Sequence, residues 1–234
     1  MSRRSESGAG APARGRLITF EGGEGAGKST QIDRLAGRLR CVGVDVLSTR
    51  EPGGSPNAEV LRGVLLSGVI RPLGPAAEAL LFAAARIDHI DEMIEPALAA
   101  GAWVVCDRFA DSTRAYQGSG ALDARLLNGL ERVALGALRP DLTIILDVSP
   151  QVGLRRALLR RGAGEADRFE RESAVFHEAI REAFLRIARE DPARCVAIDA
   201  DACEDEVAAS VWRVVRDRLS PCPEARSDGR KALA

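Results

Sequence analysis

Residues Gly22-Gly23-Glu24-Gly25-Ala26-Gly27-Lys28-Ser29 follow the G-x-x-x-x-G-K-[ST] pattern of a phosphate-binding loop. Lys28 is one of only two lysines among the 33 Lys and Arg residues of the 234-residue chain. A compact ammonium group on a flexible stem can reach over such a loop to the β- and γ-phosphates of a nucleotide, whereas a planar guanidinium is too bulky there. Lys28 is therefore predicted to bind a nucleotide.

The flanks of this stretch have the order that a phosphate-binding loop requires. Residues 16–21 are apolar and β-rich, and residues 31–42 carry apolar side chains at helical spacing. The loop N–H groups and the positive end of the following helix would surround the phosphates, and the Ser29 hydroxyl would bind Mg²⁺. The residues predicted to contact ATP are Gly22, Gly23, Glu24, Gly25, Ala26, Gly27, Lys28, Ser29 and Thr30.

The composition predicts a cytoplasmic protein with one core. With 46% hydrophobic residues the chain can bury one sizeable core, and its net charge of −1 gives no broad basic field for nucleic acid or membrane binding. No apolar run approaches the roughly 20 residues that span a bilayer, and the N-terminus lacks the hydrophobic region of a signal peptide. The five cysteines are scattered and contain no C-x-x-C pair, which argues against a zinc site or a disulfide framework.

Apolar β-rich runs alternate with helical patterns along the chain. This alternation predicts an α/β doubly wound fold, a parallel five-stranded sheet flanked by helices. Small and polar residues dominate both ends, so we expect disordered arms over 1–14 and 220–234 around a single domain over 15–219. The predicted strands are residues 16–21, 44–49, 103–106, 142–146 and 195–198, and the predicted helices are residues 28–41, 58–66, 76–100, 122–138, 151–160, 170–190 and 204–219.

Charged side chains follow the predicted strands, at the sheet end where such folds bind ligands. Arg50 lies at the tip of the second strand, where it can fork onto a phosphate unless it pairs with Glu51. Asp107 ends the third strand like a Walker-B carboxylate that holds Mg²⁺, and Arg108 would neutralise a substrate phosphate. Asp147, at the end of the fourth strand, is a weaker Mg²⁺ candidate or a helix cap.

Three other segments supply candidate side chains. Phe82 and Arg86 lie four residues apart on one helical face, where Phe82 is either a core residue or a stacking platform for a base. The Arg-dense segment 155–168 contains two glycines and is either a lid that closes over ATP or a solvated charged face. Hydrogen-bonding side chains that line a pocket, or else belong to a capped helix with a buried tyrosine, are Ser112, Thr113, Tyr116 and Gln117.

Together these clusters resemble thymidylate kinases, the nucleoside monophosphate kinases that make dTDP from dTMP and ATP. The resemblance covers about residues 16–219, and its most specific parts are EGGEGAGKST, TREPGGS, FAAAR and DRFADSTRAYQG, in that order. It implies a P-loop nucleoside monophosphate kinase architecture, with ATP and dTMP as substrates, Mg²⁺ as cofactor and a homodimeric assembly. The expected metal ligands are Ser29 and Asp107.

The resemblance also implies roles for individual residues. Arg50 and Arg108 would hold the dTMP phosphate, Phe82 would stack on thymine, and Arg86 would bond the edge of the base. The remaining implied contacts are Thr113 and Gln117 at the base, Tyr116 against the 2′ position of the sugar, and Glu24 at the 3′-hydroxyl.

The position of the catalytic arginine divides this family into two types. The phosphate-binding loop of this chain contains no arginine, so the chain resembles the bacterial type, whose arginine lies in the lid, here at about residues 156–168. The predicted catalytic residues are Lys28, Arg108 and one of Arg156, Arg160 and Arg161.

Three alternatives remain at this point. A kinase for another nucleoside monophosphate would keep the same loop, but Phe82, Arg86 and the STRAYQ segment argue against it. A regulatory GTPase would need the lysine of an N-K-x-D motif, and the only other lysine is Lys231 near the C-terminus. An ATP-driven nucleic-acid motor would need a basic stripe or a second ATPase module, and neither is visible in the sequence. We therefore predict an enzyme that phosphorylates dTMP to dTDP with ATP.

Overall fold

Five parallel strands form the central sheet in a computed structural model that describes residues 13–118, 122–161, 169 and 172–221. They lie in the order β2-β3-β1-β4-β5, which confirms the α/β doubly wound fold predicted from the sequence. The strands are β1 (Leu17–Glu21), β2 (Val46–Arg50), β3 (Trp103–Asp107), β4 (Leu142–Asp147) and β5 (Cys195–Asp199).

Helices cover both faces of the sheet. Alternate residues of β1 point to opposite sides, so that Ile18 packs in the core beneath α1 and α9 while Leu17 packs with Ile94 and Leu98 on the other side. The helices are α1 (Lys28–Cys41), α2 (Pro56–Ser67), α3 (Pro75–His89), α4 (Glu95–Ala99), α5 (Ala110–Gly118), α6 (Ala124–Leu135), α7 (Pro150–Arg161), α8 (Ala174–Glu190) and α9 (Glu204–Leu219).

Two helical segments differ from the sequence prediction. The single helix expected over 76–100 is divided into α3, a π-helical turn at Ile90–Ile94, and α4. Pro96 explains the irregular turn, because it has no N–H to donate and its ring crowds the carbonyl four residues earlier. Helix α5 was not among the predicted helices, although a capped helix was one of the two alternatives for its segment, the other being residues that line a pocket.

The ends of the chain bear on the predicted domain boundaries. Helix α9 ends at Leu219, and residues 1–12 and 222–234 lie outside the described residues. Arg14, which falls in the predicted N-terminal arm, donates to both carboxylate oxygens of Glu95 at 2.8 and 2.9 Å. No helix within the described ranges is long and apolar enough to cross a bilayer.

Strand register brings the predicted site residues to one edge of the sheet. Asp107 of β3 is the register partner of both Arg50 in β2 and Phe20 in β1. The phosphate-binding loop begins directly after Glu21, the last residue of β1. The carboxyl ends of three adjacent strands therefore surround one place, where α/β folds bind their ligands.

Candidate active site

The loop after β1 is shaped by glycine and closed by Lys28. Gly27 adopts a φ of 87° at the start of α1, a conformation that favours glycine. A β-carbon on Gly25 would lie 1.9 Å from the carbonyl oxygen of Gly153 in α7, so this close approach requires glycine. The ammonium of Lys28 donates to the carbonyl oxygens of Gly22 at 3.1 Å and Gly23 at 2.8 Å, and thus lies folded over the loop.

A cavity of about 380 Å³ opens beside this loop at the carboxyl end of the sheet. Most of the side chains and loop residues predicted from the sequence line it, although they come from five separate segments. Those residues are Glu24, Gly25, Ala26, Gly27, Lys28, Ser29, Thr30, Arg50, Phe82, Arg86, Asp107, Arg108, Thr113, Tyr116, Gln117 and Arg160.

Arg108 enters the cavity from a strained backbone position between β3 and α5. Its φ of 67° lies in the left-handed region, which costs a non-glycine residue about 1–2 kcal/mol. The guanidinium donates to the Glu24 carboxylate at 2.5 Å and to the Gly22 carbonyl at 3.1 Å. Burial alone would lower the pKa of Arg108, but Tyr116 and Glu24 raise it, so the group stays a cation in the pocket.

Glu24 and Tyr116 form a polar pair beside Arg108. The Tyr116 hydroxyl donates to Oε1 of Glu24 at 3.3 Å. Burial alone would raise the pKa of Glu24, but the positive charges of Arg108 and Lys28 outweigh it and hold the pKa below its usual value. Burial raises the pKa of Tyr116, so its phenol remains a neutral donor.

The Tyr116 ring is held by three other aromatic rings. Its centroid lies 5.3 Å from that of Phe169, 6.1 Å from Phe176 and 6.3 Å from Phe184, each in an edge-to-face arrangement. Such pairs are favourable and restrict rotation of the ring. Tyr116 therefore presents a fixed wall to the cavity.

Arg86 is almost fully buried where it meets the cavity. Its side chain is 5% exposed, and its Nε donates to Oε2 of Glu51 at 2.7 Å. Glu51 is equally buried, and its other oxygen lies 3.2 Å from Nδ1 of His89. The guanidinium also lies 5.3 Å from the centroid of the Phe109 ring. Phe82, one turn earlier on α3, is partly buried and lines the cavity.

Arg50 is more exposed than Arg86, and its partner is not the neighbouring Glu51. Its Nη2 donates to Oε1 of Glu59 at 2.9 Å, whereas Glu51 is occupied by Arg86. The Glu59 carboxylate also accepts the backbone N–H of Gly54 at 2.8 Å. Because the Arg50 side chain is 54% exposed, its pairing with Glu59 leaves it accessible to an incoming phosphate.

The two aspartates considered for Mg²⁺ have different surroundings. Asp107 accepts a hydrogen bond from the Ser29 hydroxyl at 2.7 Å, at the mouth of the phosphate-binding loop. Asp147 binds the guanidinium of Arg181 through both oxygens, at 2.7 and 3.0 Å, and so ties α8 to the end of β4. Asp107 is thus the carboxylate that faces the nucleotide loop.

Comparison with known proteins gives the family of this chain. Residues 20–211 match the family model described as thymidylate kinase. The chain belongs to the thymidylate kinase family. A thymidylate kinase from Bradyrhizobium diazoefficiens is 60% identical over 211 residues, which cover 90% of this chain and 92% of that protein. One from Rhodopseudomonas palustris is 60% identical over 212 residues, with the same two coverages.

A solved structure supports the same assignment at the level of the fold. The crystal structure of thymidylate kinase from Ehrlichia chaffeensis is similar, with a TM-score of 0.69 and 33% sequence identity. The match covers 87% of this chain and 99% of that one. The thymidylate kinase resemblance seen in the sequence motifs is therefore confirmed.

The three candidate lid arginines lie on α7. Arg160 lines the cavity. Arg156 donates to the carbonyl oxygen of Ala200 at 2.7 Å, and its Nη2 lies 3.5 Å from Asp201. The side chain of Arg161 and residues 162–168 lie outside the described residues.

Two charged residues that line the cavity were missed in the sequence, Glu51 and Arg62. Glu51 stood beside Arg50 and was considered only as its surface partner, yet it is buried against Arg86, 35 residues away. Arg62 lines the cavity and donates to the Pro52 carbonyl at 2.7 Å, although nothing in its local pattern distinguished it from other helical arginines. Both depend on packing between α2, α3 and the turn after β2, which no local motif encodes.

Proposed function

We propose that this protein phosphorylates dTMP in the cavity between the phosphate-binding loop and α5. A phosphate oxygen of dTMP attacks the γ-phosphorus of ATP, the bond from that phosphorus to the β,γ-bridging oxygen breaks, and dTDP and ADP form. The observation that carries the proposal is the meeting of Lys28 with Arg50 and Arg108 in one cavity, because these cations come from the ends of three adjacent strands. A loop for the donor and two arginines for the acceptor thus face the same space.

The cations divide between the two nucleotides by their position. Lys28 lies over the loop, where it would follow the charge of the transferring phosphoryl group. Arg108 and Arg50 would hold the dTMP phosphate, exchanging part of their present bonds to Glu24 and Glu59 for phosphate oxygens. Of the candidate lid arginines, Arg160 lines the cavity, so Arg160 would be the third catalytic cation.

The thymidine part of dTMP would lie between α3 and α5. Phe82 offers a partly exposed ring on which a base can stack, and the fixed guanidinium of Arg86 can bond the edge of the base. Tyr116 would exclude a 2′-hydroxyl, and Glu24 would accept a hydrogen bond from the 3′-hydroxyl. Two residues of α5 would complete the wall around the base, namely Thr113 and Gln117.

Ser29 and Asp107 have the chemistry that Mg²⁺ requires. Their oxygens are 2.7 Å apart beside the loop, and Mg²⁺ is commonly held by one or two such oxygens together with phosphate oxygens and water. When bound, the ion would neutralise charge on the β- and γ-phosphates. Asp107 would orient the Ser29 hydroxyl in the absence of the ion, through the bond that joins them now.

A homodimer is proposed for the assembly. Helix α3 packs against both α2 and α6, and all three helices carry exposed apolar side chains. Val60 on α2 is 69% exposed, Leu80 on α3 is 52% exposed, and Val133 on α6 is 74% exposed. Burial of such a face against a second copy would remove apolar surface from water.

The proposed reaction is tested by following both products. Purified protein with MgATP and dTMP is expected to form ADP and dTDP in a one-to-one ratio, with very little ADP formed when dTMP is left out. Comparable ATP hydrolysis with and without dTMP would instead indicate a regulatory NTPase and would overturn the proposal.

Asp107→Asn is expected to raise the Mg²⁺ concentration for half-maximal turnover by about tenfold, because a neutral amide is a poorer ligand for Mg²⁺ than a carboxylate. The measurement is a Mg²⁺ titration of turnover at fixed ATP. Asp147→Asn is the matched control, since Asp147 ends the strand on the other side of β1 and is bound by Arg181. Its Mg²⁺ midpoint should equal that of the wild type, and equal midpoints for both variants would show that Asp107 does not hold the metal.

Tyr116→Ala is expected to relax the preference for deoxyribose, whereas Tyr116→Phe should keep it, because the ring supplies the bulk that excludes a 2′-hydroxyl. The measurement is the ratio of kcat/KM for dTMP to that for its ribose counterpart in three proteins, which cancels errors in active-enzyme concentration. An unchanged ratio in folded Tyr116→Ala would show that Tyr116 has no part in sugar selection.

A further inference from the structure

Glu21, the last residue of β1, is completely buried and bonds to the start of α5. Its Oε1 accepts hydrogen bonds from the backbone N–H of Phe109 at 2.8 Å and of Ser112 at 3.2 Å. Its Oε2 accepts the Ser112 hydroxyl at 2.6 Å. The first N–H groups of a helix have no acceptor within the helix, so the carboxyl group of Glu21 in the adjacent strand caps α5.

Hydrogen bonds to β1 also enclose the backbone of Arg108. The Arg108 N–H donates to the carbonyl oxygen of Phe20 at 2.8 Å, and the next N–H, that of Phe109, donates to Glu21. Consecutive residues of β1 therefore hold the N–H groups on both sides of the Arg108 α-carbon. A long L side chain avoids a φ of 67°, and such a conformation persists only where surrounding contacts determine it.

A second connection reaches the side chain of Arg108. Nη1 of Arg108 donates to the Ser112 hydroxyl oxygen at 3.3 Å, and that hydroxyl donates to Oε2 of Glu21 at 2.6 Å. Glu21 is thus connected to Arg108 indirectly by two routes, one through the backbone N–H of Phe109 and one through the Ser112 hydroxyl. Together they fix where the side chain starts and where the guanidinium ends.

A charged carboxylate is costly to keep in this buried position. Burial, together with the nearby charge of Asp111, raises the pKa of Glu21 to about 8. The neutral acid can keep all three contacts, because Oε1 still accepts both N–H bonds and a protonated Oε2 can donate to Ser112. Glutamine would reproduce this pattern, with its carbonyl oxygen as acceptor and its amide as donor.

We propose that Glu21 is the positioning residue for Arg108: its carboxyl group caps α5 and thereby sets the backbone conformation and guanidinium position with which Arg108 meets the dTMP phosphate. This inference rests on the phosphate contact proposed above for Arg108. It requires Glu21 to affect the use of dTMP through Arg108, and not through the general stability of the protein.

The test is a double-mutant cycle of Glu21→Ala, Arg108→Ala and the double variant, measured as kcat/KM for dTMP at saturating MgATP in proteins shown to be folded by circular dichroism. Arg108→Ala is expected to lower kcat/KM about 100-fold and Glu21→Ala about tenfold, since small misplacement of a binding group is costly. The double variant should stay within about threefold of Arg108→Ala. Glu21→Gln should recover most of the loss, and the KM for MgATP should stay within about threefold of wild type in both Glu21 variants.

A double variant near the product of the two losses, about 1,000-fold, would overturn the inference, as would folded Glu21→Ala with wild-type kcat/KM. Wild-type activity in Arg108→Ala would instead overturn the phosphate contact on which the inference rests. If Glu21→Ala fails to fold, Ser112→Ala takes its place in the cycle, because it removes the hydroxyl between Glu21 and Arg108. Its loss in kcat/KM should likewise disappear when Arg108 is already alanine, and an additive loss would overturn the inference.

Discussion

Lys28→Ala is expected to fold like the wild-type protein and to lose about 10³-fold in kcat. The ammonium group lies over the loop that would hold the phosphates. Its removal would leave the negative charge that develops on the transferring phosphoryl group without this cation. Its present bonds go to carbonyl oxygens of Gly22 and Gly23 in the same loop, and the apolar core is untouched. Turnover of dTMP and thermal unfolding of the variant measure the two halves of this expectation.

Lys28→Arg tests whether charge alone is enough. We expect it to fail almost as severely, since a planar guanidinium is larger than the space over the loop and does not replace a compact ammonium. A folded Lys28→Ala protein that keeps a tenth of wild-type turnover would contradict the assigned role. Wild-type turnover in Lys28→Arg would show that the loop has no steric requirement for lysine.

Arg86→Ala is expected to lower the free energy of unfolding by about 3–5 kcal/mol, because it leaves the buried carboxylate of Glu51 without its guanidinium partner. It should also reduce kcat/KM for dTMP, since the edge of the base loses a donor. Urea unfolding at one fixed protein concentration measures the first effect, because self-association would otherwise alter the apparent stability. A loss below about 1 kcal/mol would contradict the importance of this buried pair.

Arg50→Ala is the matched control for this stability effect. Arg50 also pairs with a glutamate beside the cavity, but its side chain is 54% exposed and that of Glu59 is 40% exposed. An exposed pair of this kind contributes about 0–1 kcal/mol, so the unfolding free energy of Arg50→Ala should change by no more than that. Adding Glu51→Gln to Arg86→Ala should recover part of the stability, because the unpaired buried charge is then removed.

The sheet and its nucleotide loop could be predicted because local patterns encode them. Apolar runs such as that of β1 mark strands buried on both faces, and the sequence from Gly22 to Ser29 has a spacing that serves one purpose. Parallel strands then bring the residues at their carboxyl ends to one edge of the sheet, which is why Arg50 and Asp107 were expected together. In the structure Arg50 and Asp107 are register partners in neighbouring strands.

Long-range pairings could not be predicted in this way. Nothing local distinguishes Glu59, nine residues along the chain, from Glu51 as the partner of Arg50, and the choice depends on how α2 packs after the turn. The cap that Glu21 supplies to α5 joins residues 88 apart, so no capping pattern near α5 reveals it. Helix α5 itself was expected only as one of two alternatives for its segment, because the acceptor for its first N–H groups lies in another strand.

The most direct measurement of the central claim is kcat/KM for a set of nucleoside monophosphates with saturating MgATP. The purified protein is incubated with dTMP, dUMP, CMP or AMP in turn, and the ADP formed is followed over time. The account predicts the highest kcat/KM for dTMP, with CMP and AMP far below it because their bases do not match a site in which Phe82 stacks and Arg86 bonds the edge of thymine. A higher kcat/KM for CMP or AMP than for dTMP, or no ADP formation with dTMP, would contradict it.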